Sequence, residues 1–132
     1  MAVEFRNLTW LNEAYQGNTL EFLRELGAAY VVVDSPQRLS NTVPSVWAII
    51  NTRLAVVRLH GQNAETWNIK GATSALDRFN YDYADADLAA QMPDIRALER
   101  RVELLQVILK YNFENQGRRN AAKLIKMLQG QA

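Results

Sequence analysis

The chain contains no cysteine. Disulfides, thiolate nucleophiles and thiolate metal sites are therefore excluded, and the absence fits a reducing compartment, so a cytoplasmic location is expected. Imidazole is nearly as scarce, with His60 the only histidine. Net charge is also small: 15 basic and 14 acidic side chains leave a formal +1. That provides no field for steering the chain onto duplex nucleic acid or an anionic membrane, so any nucleic-acid contact must be local. No apolar run approaches the ~20 residues of a spanning helix, and the polar, acidic start from Met1 to Asn7 lacks the form of a signal peptide. Low-complexity segments and linkers are missing too. What remains is 132 residues with 48% hydrophobic content, one soluble domain over residues 1–132, able to bury roughly two-thirds of its unfolded surface.

Val3-Glu4-Phe5-Arg6 alternates apolar and charged residues, the period of a strand with Glu4 and Arg6 on one side. Asn18 and Glu21 form a capping box, Leu20, Leu23 and Leu26 recur at helical spacing, and Gly27 supplies a stop, which predicts a helix over 19–26. The apolar run Ala29 to Val33, closed by Asp34-Ser35-Pro36, suits a strand covered on both faces. Pro36 and Pro44 bracket a polar stretch, after which Val46 to Ile50 is expected to be extended. The strand 54–60 ends in Arg58, Leu59, His60 and Gly61. Arg58 and His60, two apart, point the same way, and Gly61 permits a sharp turn just beyond. The long stretch Gln62 to Tyr83 exceeds an ordinary connection and carries Trp67, Tyr81 and Tyr83.

Asp85 or Asp87 starts a helix presenting Leu88, Met92, Ile95 and Leu98, which Pro93 should kink or divide. Val102 to Leu109 reads as the next strand. Arg119 or Asn120 begins a last helix with Ala121, Leu124, Ile125 and Leu128 on one face and Gly130 at its end. Strand-helix alternation repeated four times predicts a parallel α/β sheet with right-handed crossovers, whose ligands gather beyond the carboxyl ends of the strands. Glu4, Arg6, Asp34, Arg58, His60 and Asn112 all fall at or near those ends.

Val3-Glu4-Phe5-Arg6 with Trp10, Val32-Val33-Asp34-Ser35-Pro36, Val57-Arg58-Leu59-His60-Gly61, Tyr81-Asp82-Tyr83 and Asn120-Ala121 resemble, in that order, the YecE-like family, domain of unknown function 72. The resemblance spans essentially the whole chain. It implies a TIM-type (β/α)8 barrel of which these motifs form the C-terminal half, about strands five to eight. A full barrel takes about 250 residues, so both outer strands would be open edges. Exposed apolar edges favour self-association into a barrel-like homodimer, unless the chain is a fragment of a full-length barrel protein. Two departures stand out. Asn7-Leu8 replaces the family's usual His-Pro after Arg6, and Lys110 and Tyr111 precede Asn112 where the family often has consecutive asparagines.

Arg6 could hold a carboxylate or phosphate with Glu4 as general base; the alternative is an ion pair filling the interior. Asp34 could orient His60, join Glu4 around a divalent metal, or cap the turn that follows it. The adjacent Arg58 should depress the His60 pKa and favour neutral imidazole, the form able to act as a base. Gln116-Gly117-Arg118-Arg119-Asn120 reads as a glycine and two arginines preceding a helix, an arrangement that favours phosphate. Its alternative is a solvated basic turn. Trp67, Tyr81 and Tyr83 could form a stacking platform, or pack the long loop.

The expectation is thus an anionic, phosphate-containing ligand at the strand ends, either a small molecule or a nucleic acid, with hydrolase or nuclease-like activity resting on barrel analogy. Glu4, Asp34 and His60 are the catalytic candidates. Arg6, Arg58, Gly61, Tyr81, Tyr83, Asn112, Gly117, Arg118 and Asn120 are the binding candidates. The competing expectation is a non-catalytic half-barrel that serves assembly.

Overall fold

The computed structural model describes residues 1–35, 43–61, 83–109 and 116–130. Its frame is a four-stranded sheet in the order β1-β2-β3-β4, formed by Ala2–Val3, Ala29–Asp34, Leu54–Leu59 and Leu104–Leu109. All three pairings are parallel. Parallel strands in sequential order, joined by crossovers of one hand, carry their connections on one face. The side chains agree. Val3 and Phe5 line a groove with Phe22, Leu23 and Leu26 of helix α1 (Gln16–Leu26). Leu105, Val107 and Leu109 line a groove with Leu124, Ile125 and Leu128 of α3 (Gln116–Leu128). The opposite face receives Glu4, Arg58, Leu104 and Ile108 by strand alternation.

β2 is sealed on both faces, all six residues being buried. It is the centre of a core that also takes Leu11, Leu23, Val57, Leu59, Tyr83, Leu88 and Leu98. The expected continuous apolar strand is therefore present, extended by one residue to Asp34. β1 is shorter than the alternation 3–6 suggested, covering Ala2 and Val3, with Glu4 and Arg6 just past its end. Asn7 caps a 3-10 turn at Leu8–Trp10 that brings Trp10 onto Phe5, ring centroids 5.6 Å apart.

Helix α1 starts earlier than Asn18 and Glu21 implied. The Asn12 side chain accepts from the Tyr15 N–H and its carbonyl from the Gln16 N–H, so the chain is already turning one turn upstream. Gly27 ends the helix as expected, at φ 68. Val46 to Ile50 forms no strand. It packs irregularly against the core, anchored nearby by the Ser45 hydroxyl donating to the Val33 carbonyl at 2.9 Å.

Helix α2 runs through Asp85–Glu99 and is not divided at Pro93. Pro93 and Ala89, whose carbonyl lacks the usual donor four residues on, are both exposed, so water can take the missing bond. Leu88, Ile95 and Leu98 are buried on its inner face. α3 starts at Gln116, earlier than expected, so Gly117, Arg118 and Arg119 lie within its first turns rather than before it. Its C-terminus is held by Arg96 of α2, which donates to the Met127 carbonyl at 3.0 Å. Among the described residues no helix is long and apolar enough to cross a membrane.

Candidate functional site

The four groups that sequence alternation placed at strand ends as two pairs meet around one carboxylate. Glu4 Oε2 accepts from Arg6 Nε at 2.7 Å and from Arg58 Nη1 at 3.0 Å. Glu4 Oε1 accepts from Arg58 Nη1 at 3.1 Å and lies 3.0 Å from His60 Nε2. Strands are about 4.8 Å apart, and β2 lies between β1 and β3, so Glu4 and Arg58 must bridge roughly 10 Å. Two long side chains achieve this over β2, whose register partner for Arg58 is the small, apolar Val33.

The electrostatics follow from this packing. Burial pushes the Glu4 carboxyl up, but hydrogen bonds from His60 and Arg6, and the charges those two groups carry at the acidic pH where Glu4 titrates, pull it down further, to about 2. Glu4 is therefore ionised and accepts only, so the neutral His60 ring donates through Nε2. Burial lowers the His60 pKa, with Glu4 opposing and Arg58 and Arg6 adding to the depression. The expected direction holds, but desolvation contributes more than the Arg58 charge. Two guanidiniums and a neutral imidazole around one carboxylate leave an excess positive charge. It is presented toward solvent by Arg6, whose side chain is 47% exposed against 13% for Glu4.

A second constellation adjoins the first through the backbone of His60. The Asp34 carbonyl accepts from the His60 N–H at 2.8 Å. Asp34 Oδ2 accepts from the Tyr83 hydroxyl at 2.5 Å, and that hydroxyl accepts from the Gly61 N–H at 3.0 Å. Asp34 pairs in register with Leu59, which puts it on the face opposite Arg58. It therefore does not share the Glu4 cluster, and among the described residues no three of His, Cys, Asp or Glu converge on a point that could hold a metal. Tyr83 is completely buried. Its ring has no open face for stacking, which corrects the platform expectation at that residue. Gly61 has φ 91, the left-handed region its expected turn needs.

Gly117 and Asn120 are buried in the first turns of α3, while Arg118 is exposed and makes no ion pair among the described residues. Neither Gly117 nor Arg118 joins the Glu4 network. Tyr81, Asn112 and Trp67 lie outside the described residues. Lys123, which sequence reasoning passed over, holds α3 to the second constellation, with Nζ 3.4 Å from the Tyr83 carbonyl and 3.3 Å from Asp85 Oδ1. Its signal was its spacing: three residues after Asn120, it shares that face of the helix.

Comparison with known proteins agrees with this fold. The family described as "Protein of unknown function DUF72" matches residues 1–132. The UPF0759 protein YunF of Bacillus subtilis (strain 168) is 26% identical over 129 residues, which is 96% of this chain and 46% of that protein. A DUF72 family protein of Enterococcus faecalis V583 superposes with a TM-score of 0.89 at 28% identity, covering 97% of this chain and 46% of the other. One from Thermotoga maritima MSB8 superposes at 0.83 with 32% identity, covering 97% and 45%. The chain thus spans about half the length of the relatives it matches. With a match along its whole length and a superposable parallel sheet, the chain belongs to the DUF72 family of proteins of unknown function.

Proposed function

We propose that the carboxyl ends of β1 and β3 bind an anionic, phosphate-containing ligand, with Arg6 and Arg58 as the clamp. The observation that carries this reading is the excess of guanidinium over carboxylate around Glu4 at the ends of parallel strands, where α/β folds collect their ligands. Glu4 fixes the two guanidiniums so that an anion meets them already ordered, and Arg6 is the more exposed of the pair. Hydrolytic or nuclease-like turnover would fall to His60 rather than Glu4. A carboxylate whose pKa is held near 2 is too weak a base at neutral pH, whereas the imidazole stays neutral. Arg118 and the amide-rich start of α3 form a second, separate anion contact in this reading.

The test is thermal stabilisation by inorganic phosphate, nucleotides and short oligonucleotides, comparing the parent with Arg6→Gln and Arg118→Ala. Binding at the strand ends predicts a ligand-dependent rise in Tm that Arg6→Gln abolishes and Arg118→Ala reduces. Absence of any shift across the panel refutes the anion reading.

A second reading concerns assembly. It treats the sheet as half of a TIM-type barrel, the C-terminal half of the family's domain, closed through its two edges by a second copy or by four further βα units. What favours it is apolar exposure at both edges: Trp10, Phe22 and Leu26 beside β1, and Leu104, Ile108 and Ile125 beside β4. Light scattering after size exclusion separates the cases. A stable dimer supports closure by a second copy, and a monomer over the full concentration range rejects it.

A further inference from the structure

The residues around Tyr83 are buried, polar and unused by the anion clamp. The Tyr83 hydroxyl stands between two elements that are distant in sequence, donating to the carboxylate at the end of β2 and accepting from the Gly61 N–H after β3. The same Asp34 also holds the residue before Gly61, because its carbonyl accepts from the His60 N–H. The short segment His60-Gly61 is thereby tied to Asp34 twice, directly at His60 and through the Tyr83 oxygen at Gly61. Gly61 is also where the chain takes a positive φ, so the backbone would otherwise be freest there.

We infer that Asp34 and Tyr83 are positioning residues, a bracket that fixes the His60-Gly61 turn and so aims the imidazole across the sheet at Glu4. The geometry requires such a device. His60 lies one residue past the last residue of β3, held to β2 by the backbone bond from its N–H to the Asp34 carbonyl, yet its Nε2 sits 3.0 Å from Glu4 Oε1, a contact between residues 56 apart in the chain. A turn free to rotate about Gly61 would not keep that aim. The bracket lies on the opposite side of the sheet from the guanidiniums, so it orders the imidazole without adding a charge to the face where an anion binds. Tyr83 leads into α2 and is itself grasped by Lys123 of α3, so two helices hold the bracket in place.

The inference rests on reading the Glu4 cluster as the site, but its test reads the imidazole and not a ligand, so the two can fail separately. His60 is the only histidine, and its ring resonances need no sorting from others. In the parent, the Gly61 amide should exchange slowly with solvent, and free exchange there overturns the bracket without any substitution. In Tyr83→Phe, which keeps the ring and removes the hydroxyl, the titration midpoint of His60 should rise toward the ordinary imidazole value as the ring gains solvent. The lost burial, which lowers the midpoint in the parent, outweighs the lost Glu4 contact, which raises it there. Asp34→Asn keeps an oxygen for Tyr83 and its own carbonyl for His60 while removing the charge, so its His60 midpoint should stay near the parent's. An unaltered His60 midpoint in folded Tyr83→Phe, even with a lower Tm, reduces Tyr83 to ordinary core packing. A midpoint displaced equally in Asp34→Asn assigns the effect to the Asp34 charge and refutes the bracket.

Discussion

Strands β2 and β4 are both six residues long and rich in aliphatic side chains, and they occupy opposite conditions. Every residue of β2 is buried, whereas β4 alternates between exposed and half-buried positions. The difference lies in their neighbours. β2 is flanked by strands on both sides, while β4 has β3 on one side and, among the described residues, no strand on the other. Leu104 and Ile108, 53% and 41% exposed, alternate along β4 with Leu105, Val107 and Leu109, which line a groove with α3. Apolar residues on both faces of a parallel strand signal cover on both faces, and among the described residues β4 has cover on one. The row matters for the site because Ile108 is the register partner of Arg58. Whatever covers Ile108 also lies beside the guanidinium that grips Glu4.

The comparison is broken most strongly at the centre. Leu59, fully buried in β3 beside both strands, makes contacts that no partner chain could replace. Leu59→Ala should lower stability by about 2–5 kcal/mol, read as the displaced midpoint of a urea denaturation curve. A loss below about 1 kcal/mol would mean that the central strands are not the rigid frame described above.

The next largest effect belongs to Glu4, the one carboxylate shared by both arginines and the imidazole. Glu4→Gln should cost about 1–3 kcal/mol, because three donors then compete for a single amide oxygen. The pH dependence carries a sign. Glu4 is held near 2 in the folded chain against an ordinary 4.5, so its stabilisation is complete above 4.5 and is lost as pH falls toward 2. His60 is depressed below its ordinary 6.5, so the unfolded chain takes up its proton first and stability also falls as pH drops below 6.5. Stability should therefore decline through two windows on acidification. Glu4→Gln should flatten the lower one and His60→Asn the upper one in equilibrium unfolding measured against pH.

Much of the fold is carried by local pattern, and the exceptions have physical causes. The β2 run, the β3 strand, which ends at Leu59 one residue before the expected end, and the Gly27 stop are legible because each rests on residues adjacent in sequence. The starts of α1 and α3 are not, because competing caps lie nearby: Asn12 supplanted Asn18, and the glycine at 117 sits inside a helix instead of before it. Alternation gives Glu4 with Arg6 and Arg58 with His60. Their meeting depends on β1 and β3 lying two strands apart across small valines, a matter of sheet order and register. The role of Tyr83 was hidden for a different reason. A tyrosine near a long loop looks like an aromatic surface, and only burial reveals that its hydroxyl is the working part.

The smallest effect tests the open edge itself. Ile108→Ser removes an apolar side chain that is exposed at the last described strand of the sheet, so a lone chain should change in stability by no more than about 0.5 kcal/mol. If a second copy closes the sheet, the same side chain becomes interior and the substitution must weaken association while leaving the unfolding of the separated chain untouched. Light scattering across a dilution series, paired with unfolding at the lowest concentration, reads the two quantities independently. A dimer that dissociates at higher concentration in Ile108→Ser places Ile108 inside a shared interior, next to Arg58. An unchanged mass at every concentration leaves β4 as a true edge, and the clamp at Glu4 as the property of one chain.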